Sequence, residues 1–79
     1  MTLTKTFWLS FSGEKFLGVA VIDAKTATAA IQKSHRLGIN PGGEVMVIEM
    51  PPAEAKPYPR NKLLPRKWLV ANGDVSVLT

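Results

Sequence analysis

Apolar and polar residues alternate near the start of the chain and then give way to a continuous apolar run. In residues 7–11, Phe, Leu and Phe occupy every second position, which predicts a first strand with one buried face. Residues 12–15 form a polar turn with a glycine, short enough to close a hairpin. Residues 16–22 are apolar on both faces and predict a second strand that is covered on both sides. Gly18 within this run indicates a bulge or the close approach of another backbone segment.

The period of the pattern then becomes helical. Small and apolar residues recur on one side of the predicted helix, at Ala27, Ala30, Ile31, Ser34 and Leu37. The opposite side carries the polar residues Gln32, Lys33 and Arg36. Asp23 or Thr26 can supply the N-cap oxygen, and Gly38 stands where a left-handed residue commonly follows the last turn of a helix. This segment therefore predicts an amphipathic helix that ends before Gly38.

A third strand is predicted for residues 44–50. Met46, Ile48 and Met50 share one face of this strand, and the other face carries Val45, Val47 and Glu49. Two consecutive prolines follow and end the strand, because proline cannot donate a hydrogen bond to a strand ladder.

The C-terminal part differs in composition, since five of the six prolines fall between positions 51 and 65. We predict an extended arm over residues 51–59. The pattern also indicates a short helix over residues 61–70 and a terminal strand over residues 75–78.

These elements predict a small α+β fold in a single domain. Residues 1–50 form a β-β-α-β core with one helix packed on one face of a three-stranded sheet, and residues 51–79 form a Pro-rich basic arm of the same domain. The second strand, the helix and the third strand make a right-handed crossover if the two strands run parallel. Trp8, Val45 and Val47 are expected on the open face, which predicts a partner subunit or a folded-back arm as its cover.

Composition narrows the classes of function. A chain of 79 residues has a small core, and the absence of cysteine excludes disulfides and thiolate metal sites. With a single histidine, we expect no metal site and no cofactor. The protein is therefore predicted to gain stability as a homo-oligomer. The longest apolar run has seven residues and no signal-peptide pattern is present, so we expect a cytoplasmic protein with no membrane partner.

Charge is unevenly distributed along the chain. The net charge is +4, and residues 51–79 hold five basic and two acidic groups, which is +3 of that total. This bias favours anionic partners. The stretch PRNKLLPRKWL, residues 59–69, interleaves four cations with Trp68. It could hold a phosphate backbone while the indole stacks on a base. The favoured alternative is that Leu63, Leu64 and Trp68 pack on the sheet and leave the cations in water.

The stretch HRLGINPGGEV, residues 35–45, is rich in glycine. Successive backbone N–H groups at Gly42, Gly43 and Glu44 could form an anion-binding nest. Phosphate loops generally precede a helix, however, whereas this loop follows one and faces the negative end of its dipole. A structural role is favoured, in which Gly38 caps the helix and Pro41-Gly42 form a turn. His35 is interpreted as a capping or solvated residue. No catalytic constellation is recognisable, so we predict that the protein is not an enzyme.

Three motifs resemble a family of short, largely uncharacterised bacteriophage and bacterial proteins. They are FWLSF at residues 7–11, FLGVAVID at residues 16–23 and the L-G-I-N-P-G-G-E corner at residues 37–44. Many members also carry an N-R-L-L-like segment, which here is NKLL at residues 61–64. The resemblance covers residues 7–50 and 61–64. It implies no enzymatic activity and suggests a phage accessory protein that counters host defences by binding.

Three hypotheses of function follow. The first is capture of a small anionic ligand, such as a signalling nucleotide, in the cytoplasm of the host. The second is an adaptor or inhibitor that docks on a host or phage protein, and the third, less favoured, is a nucleic-acid-binding accessory protein. For ligand capture we predict a site at a subunit interface with these residues: Trp8, Lys33, Arg36, Gly42, Gly43, Arg60, Lys62, Arg66, Lys67 and Trp68.

Overall fold

Four strands form one antiparallel sheet, and a ten-residue helix packs on one of its faces. The computed structural model describes residues 4–72. The strands are β1 (Lys5–Ser12), β2 (Phe16–Ala24), β3 (Glu44–Met50) and β4 (Leu63–Leu64), and the helices are α1 (Ala27–Arg36), α2 (Pro52–Ala55) and α3 (Arg66–Ala71). The predicted α+β fold, with its β-β-α-β core and C-terminal arm, is confirmed. The terminal strand predicted for residues 75–78 lies outside the described residues.

The strands lie in the order β3-β1-β2-β4. Both β2 and β3 pair antiparallel with β1, so β2 and β3 run parallel to each other with β1 between them. The two strands joined through α1 are therefore parallel, as the crossover requires, but they are not neighbours. The sheet has four strands instead of the three predicted, because Leu63 and Leu64 form an additional strand that pairs with Ala20 and Val19 of β2.

The face covered by α1 contains the larger core cluster. Leu9, Phe11 and Ile22 are fully buried there, with Ala30 of α1 packed on them. Val45 and Val47 contact this same cluster, so their expected position on the open face was wrong. The reason is the register of the sheet, which places Val47 opposite Leu9 and therefore on the same face.

Both ends of α1 are capped by local contacts. Thr26 is the N-cap, and its Oγ1 accepts a hydrogen bond of 3.1 Å from the backbone N–H of Ala29. At the other end, the N–H of Gly38 donates to the carbonyl of His35 and the N–H of Ile39 donates to that of Ser34, both at 3.1 Å. Those two bonds make a Schellman motif, with Gly38 at a φ of 71°. The predicted helix end is confirmed.

The apolar stripe predicted for α1 is narrower than expected. Ala30 and Ser34 are buried, and Ile31 is half-buried against the core. Ala27 and Leu37, at the two ends of the stripe, are exposed, whereas Ala29 and Ile39, outside the predicted stripe, pack against the core.

The arm, residues 51–72, folds back over the other face of the sheet. Ala55, Leu64 and Leu69 of the arm are buried against Val19 and Val21 of β2. The arm is not extended over residues 51–59, because Pro52–Ala55 form a helical turn that suits proline at the first helical position. The helix predicted over residues 61–70 is confined to Arg66–Ala71, since Pro65 disfavours a helical conformation for the residue before it. Among the described residues, no helix is long and apolar enough to cross a membrane.

Candidate functional site

Three aromatic side chains gather on the arm face of the sheet. Tyr58 lies between the other two, with its ring 5.2 Å from that of Trp8 at 81° and 6.1 Å from that of Trp68 at 44°. Trp8 belongs to β1, Trp68 belongs to α3, and Tyr58 lies in the loop after α2. All three are half-buried and pack on the smaller core cluster. The cluster therefore joins the sheet to the arm, and none of its three residues is fully buried.

Asp23 fastens the arm beside this cluster. Its Oδ1 accepts a 2.6 Å hydrogen bond from the hydroxyl of Thr6, and its Oδ2 lies 3.5 Å from Nε of Arg60. Its backbone carbonyl accepts a 3.2 Å hydrogen bond from Nζ of Lys33. Lys33 and Arg60, two of the predicted ligand-binding cations, thus both contact Asp23 at the end of β2.

Arg60 is committed to the structure of the arm. Its Nη1 donates to the carbonyl oxygens of Ala55 and Tyr58 at 2.7 and 2.8 Å, while its buried Nε faces Asp23. These contacts use the guanidinium to hold the loop that carries Tyr58. Arg60 therefore positions the aromatic cluster from within the protein.

The other four cations of the arm lie in water. Lys56, Lys62, Arg66 and Lys67 are exposed, and none of them pairs with a carboxylate within residues 4–72, where the ion pairs are Lys5–Glu49 and Arg60–Asp23. The prediction that Leu63, Leu64 and Trp68 pack on the sheet is confirmed. The prediction that the cations of residues 59–69 stay in water holds for Lys62, Arg66 and Lys67 and was wrong for Arg60. Residues 51–72 hold five basic groups and one acidic group, so the arm itself carries a net positive charge.

The glycine-rich corner turns the chain from α1 into β3. Asn40 Oδ1 accepts a 2.8 Å hydrogen bond from the N–H of Gly42, which is an Asx turn. Gly42 and Gly43 both have positive φ, at 86° and 74°. A Cβ on Gly43 would lie 2.5 Å from the carbonyl oxygen of Ser12. Every one of these features has a structural reason, and the Gly42 N–H that an anion would need is already used.

The structure divides the predicted site residues between two faces of the sheet. One group belongs to the arm face: Trp8, Arg60, Lys62, Arg66, Lys67 and Trp68. The other belongs to α1 and to the corner that follows it: Lys33, Arg36, Gly42 and Gly43. Lys33 approaches Arg60 at Asp23, whereas Arg36 is exposed at the last turn of α1. A single protomer does not bring all ten residues together.

Sequence reasoning did not single out Tyr58, the central ring of the cluster, nor the linking role of Asp23. An aromatic residue between two prolines in a basic segment was the available signal for Tyr58. It also did not find that Met46 and Ile48 are exposed on the arm face of β3, because the alternating pattern separates two faces without telling which one is covered.

The comparisons with known proteins add no relative: no protein-family model, no curated protein and no solved structure matches this chain. The family resemblance stays a prediction. Residues 4–72 contain no group of three or more His, Cys, Asp or Glu side chains placed to hold a metal ion. The candidate site is therefore defined by geometry alone. It is the arm surface, made of Trp8, Tyr58 and Trp68 with Lys56, Lys62, Arg66 and Lys67.

Proposed function

We propose that the protein is a non-catalytic binding module that captures a small anionic ligand with an aromatic ring, the chemistry of a nucleotide, on the arm surface. One observation carries the proposal. Three half-buried aromatic residues contact one another on the arm face, and the segment that carries two of them also carries exposed cations that have no carboxylate partner within residues 4–72. In the setting that the family resemblance suggests, capture would lower the concentration of a host signalling nucleotide in the cytoplasm.

The rings would recognise the base of such a ligand. Stacking of a base on an aromatic side chain contributes about 1–3 kcal/mol and tolerates any base, since each has a π face. Trp68 is suited to this role because it lies on the short helix α3 and is only half-buried. Its contact with Tyr58 fixes the orientation of both rings before a ligand arrives.

The cations would recognise phosphate. Arg66 and Lys67 directly precede Trp68 on α3 and are exposed, and Lys56 lies two residues before Tyr58. Arginine pairs with two phosphate oxygens through its planar fork, so we assign the larger contribution to Arg66. Because these groups are solvated, their attraction is screened by salt, and affinity should fall as ionic strength rises.

Intrinsic fluorescence gives a direct test, because both tryptophans of the chain belong to the arm surface. Titration with ATP and with cyclic di-GMP should quench this fluorescence to saturation. The double variant Arg66→Gln/Lys67→Gln should bind about tenfold more weakly, as expected for the loss of charge-assisted hydrogen bonds at an exposed site. Calorimetry of the same titration gives the stoichiometry.

The matched control removes the same charge elsewhere. Lys15 in the hairpin turn and Lys25 before α1 are both exposed and belong to neither the arm nor its ring cluster, so Lys15→Gln/Lys25→Gln should keep nearly full affinity. Equal weakening of the two double variants would reduce the effect to net charge and contradict the site. Binding of poly(dT) alone, with a steep salt dependence, would support the nucleic-acid hypothesis instead. No response to any of these probes would favour the adaptor.

A further inference from the structure

The strand β3 forms one edge of the sheet and has no neighbour on its outer side within residues 4–72. It pairs with β1 over seven consecutive residues without any shift in register. The seven residues EVMVIEM contain no proline and no lysine. Natural proteins use those residues, bulges or a covering segment to prevent edge strands from pairing with other chains. Within residues 4–72 this edge has no proline, lysine, bulge or covering segment, and its charged residues are Glu44 and Glu49 at either end of the apolar stretch.

The opposite edge is different. There β4 contributes only two residues, and Pro65 follows it directly. The preceding loop adds one isolated bridge, between Val21 and Arg60. A short strand bounded by proline offers little backbone for another chain to pair with. The two edges of the sheet are therefore unequal, and β3 is the one open to a partner.

The exposed apolar side chains of β3 are a second indication that a partner binds this edge. Met46 is 66% exposed and Ile48 is 53% exposed, the highest values among large apolar side chains in the described part of the chain. Both lie on the arm face, where the arm cluster includes residues of β1 and β2 and Met50 of β3 but leaves these two side chains exposed. On the other face Val45 and Val47 are only half-buried beside the core. Apolar surface thus continues up to the free edge on both faces of the strand.

We propose that β3 pairs antiparallel with β3 of a second copy of this chain, around a two-fold axis at Val47. An axis perpendicular to the sheet keeps each face of one copy continuous with the same face of the other. Met46 then lies opposite Ile48 of the partner subunit, and Val47 lies opposite Val47 of the partner subunit. The two sheets join into one sheet of eight strands, with both copies of α1 on the same face.

A second copy fits this edge because the strand is complementary to itself in that register. All seven residues pair, over about 24 Å of strand. A centre at Met46 shortens the pairing, and a centre at Ile48 brings Pro51 and Pro52 into the ladder. With the centre at Val47, no glutamate faces another glutamate. Glu49 is in addition neutralised by Lys5, 3.4 Å away within its own subunit. The proposal does not depend on ligand capture.

The register can be tested by cross-linking, because the chain contains no cysteine. In the proposed dimer, Val47→Cys places two thiols opposite each other, within the ~4.4–6.8 Å between Cα atoms that a disulfide spans. Mild oxidation should yield a linked dimer. Val45→Cys is the matched control on the same face of the same strand, since its two thiols would be about 14 Å apart. Equally fast linking of the two variants would overturn the register.

The interface is tested by mass in solution. Light scattering should give twice the 8.6 kDa of the chain, and Met46→Glu/Ile48→Glu should return the mass to that of a single chain by placing like charges opposite each other. Leu37→Glu/Val70→Glu makes the same change at two exposed apolar residues outside β3, each 45% exposed, and should stay dimeric. A wild-type mass of 8.6 kDa over a wide range of concentrations, or a dimer that persists in Met46→Glu/Ile48→Glu, would overturn the proposal.

Discussion

Two glycines of the corner after α1 share one backbone conformation but differ in their surroundings. Gly38 and Gly43 have φ values of 71° and 74°. A Cβ added to Gly38 would meet no atom within 4 Å, whereas a Cβ added to Gly43 would lie 2.5 Å from the carbonyl oxygen of Ser12. Gly43 thus permits the backbone of β3 to begin close to the end of β1. Gly38 serves only the helix cap.

We predict that Gly43→Ala destabilises the protein more than Gly38→Ala. Both variants bear the cost of a left-handed alanine, about 1–2 kcal/mol. Gly43→Ala must also displace the backbone at Ser12, so its cost should be larger by 1 kcal/mol or more, a rough figure for overpacking. Urea denaturation of the two variants measures the difference. Equal midpoints would show that the close approach to Ser12 relaxes without cost.

These glycines also show which structural roles can be predicted from the sequence and which cannot. A glycine after a helical stripe has a local cause, so Gly38 was predictable as the residue after the C-cap. The contact of Gly43 with Ser12 joins residues far apart in the chain, and no local pattern encodes it. Gly18 lies between these cases. Its position inside an apolar strand predicted a bulge or a close approach, and the structure shows both. The register of the hairpin shifts next to Gly18, and Leu63 and Leu64 pack against it.

The N-terminus of α1 depends on a single side chain. Thr26 accepts the hydrogen bond of Ala29, and the first turn of the helix contains no acidic residue that could add a second favourable interaction. We predict that Thr26→Ala lowers the free energy of unfolding by about 1 kcal/mol. Thr28→Ala is the matched control. Thr28 is exposed inside the helix, where alanine should be neutral or slightly stabilising. Thermal and urea unfolding should separate the two variants, and equal stability would show that the cap contributes nothing.

The first three strands and α1 were predictable because each carries its own period and its own end signals. The bounds of β3 match the expected residues 44–50. The arm was not predictable to the same extent. Its two-residue strand forms only because Leu63 and Leu64 meet β2 across Gly18. Short segments of this kind have too few residues for a period to be recognised, so their structure is decided by the surface they pack on.

The candidate site shows the same limit at the level of topology. The predicted site grouped cations and aromatic residues by residue type alone. In the structure, the cations of α1 lie on one face of the sheet and the residues of the arm lie on the other. Charge bias along the chain did predict a basic arm. Which cations are solvated and which one is structural depended on tertiary contacts, as Arg60 illustrates.

The helix α1 and the arm lie on opposite faces of the sheet and bury its two central strands, β1 and β2. A chain of 79 residues has a small hydrophobic core. Fully buried residues of β2 belong to both core clusters, so the two faces share one strand. The arm is held on its face by apolar contacts and by the link from Asp23 through Arg60 to the carbonyl oxygens of Ala55 and Tyr58. Arm docking and folding of the sheet should therefore form one cooperative unit.

We predict that Arg60→Met destabilises the whole protein, by roughly 2–3 kcal/mol for the loss of two hydrogen bonds from a charged donor. The aromatic cluster should loosen at the same time, because Arg60 holds the backbone at Tyr58. Unfolding followed by tryptophan fluorescence reports the contact between arm and sheet, because Trp8 of β1 and Trp68 of the arm both belong to the aromatic cluster. Far-ultraviolet circular dichroism reports the secondary structure of the whole protein. Lys62→Met removes an equal charge from an exposed neighbour and should change little. If Arg60→Met released the arm while the sheet unfolded as in the wild type, the two layers would be independent and the cooperative arrangement wrong.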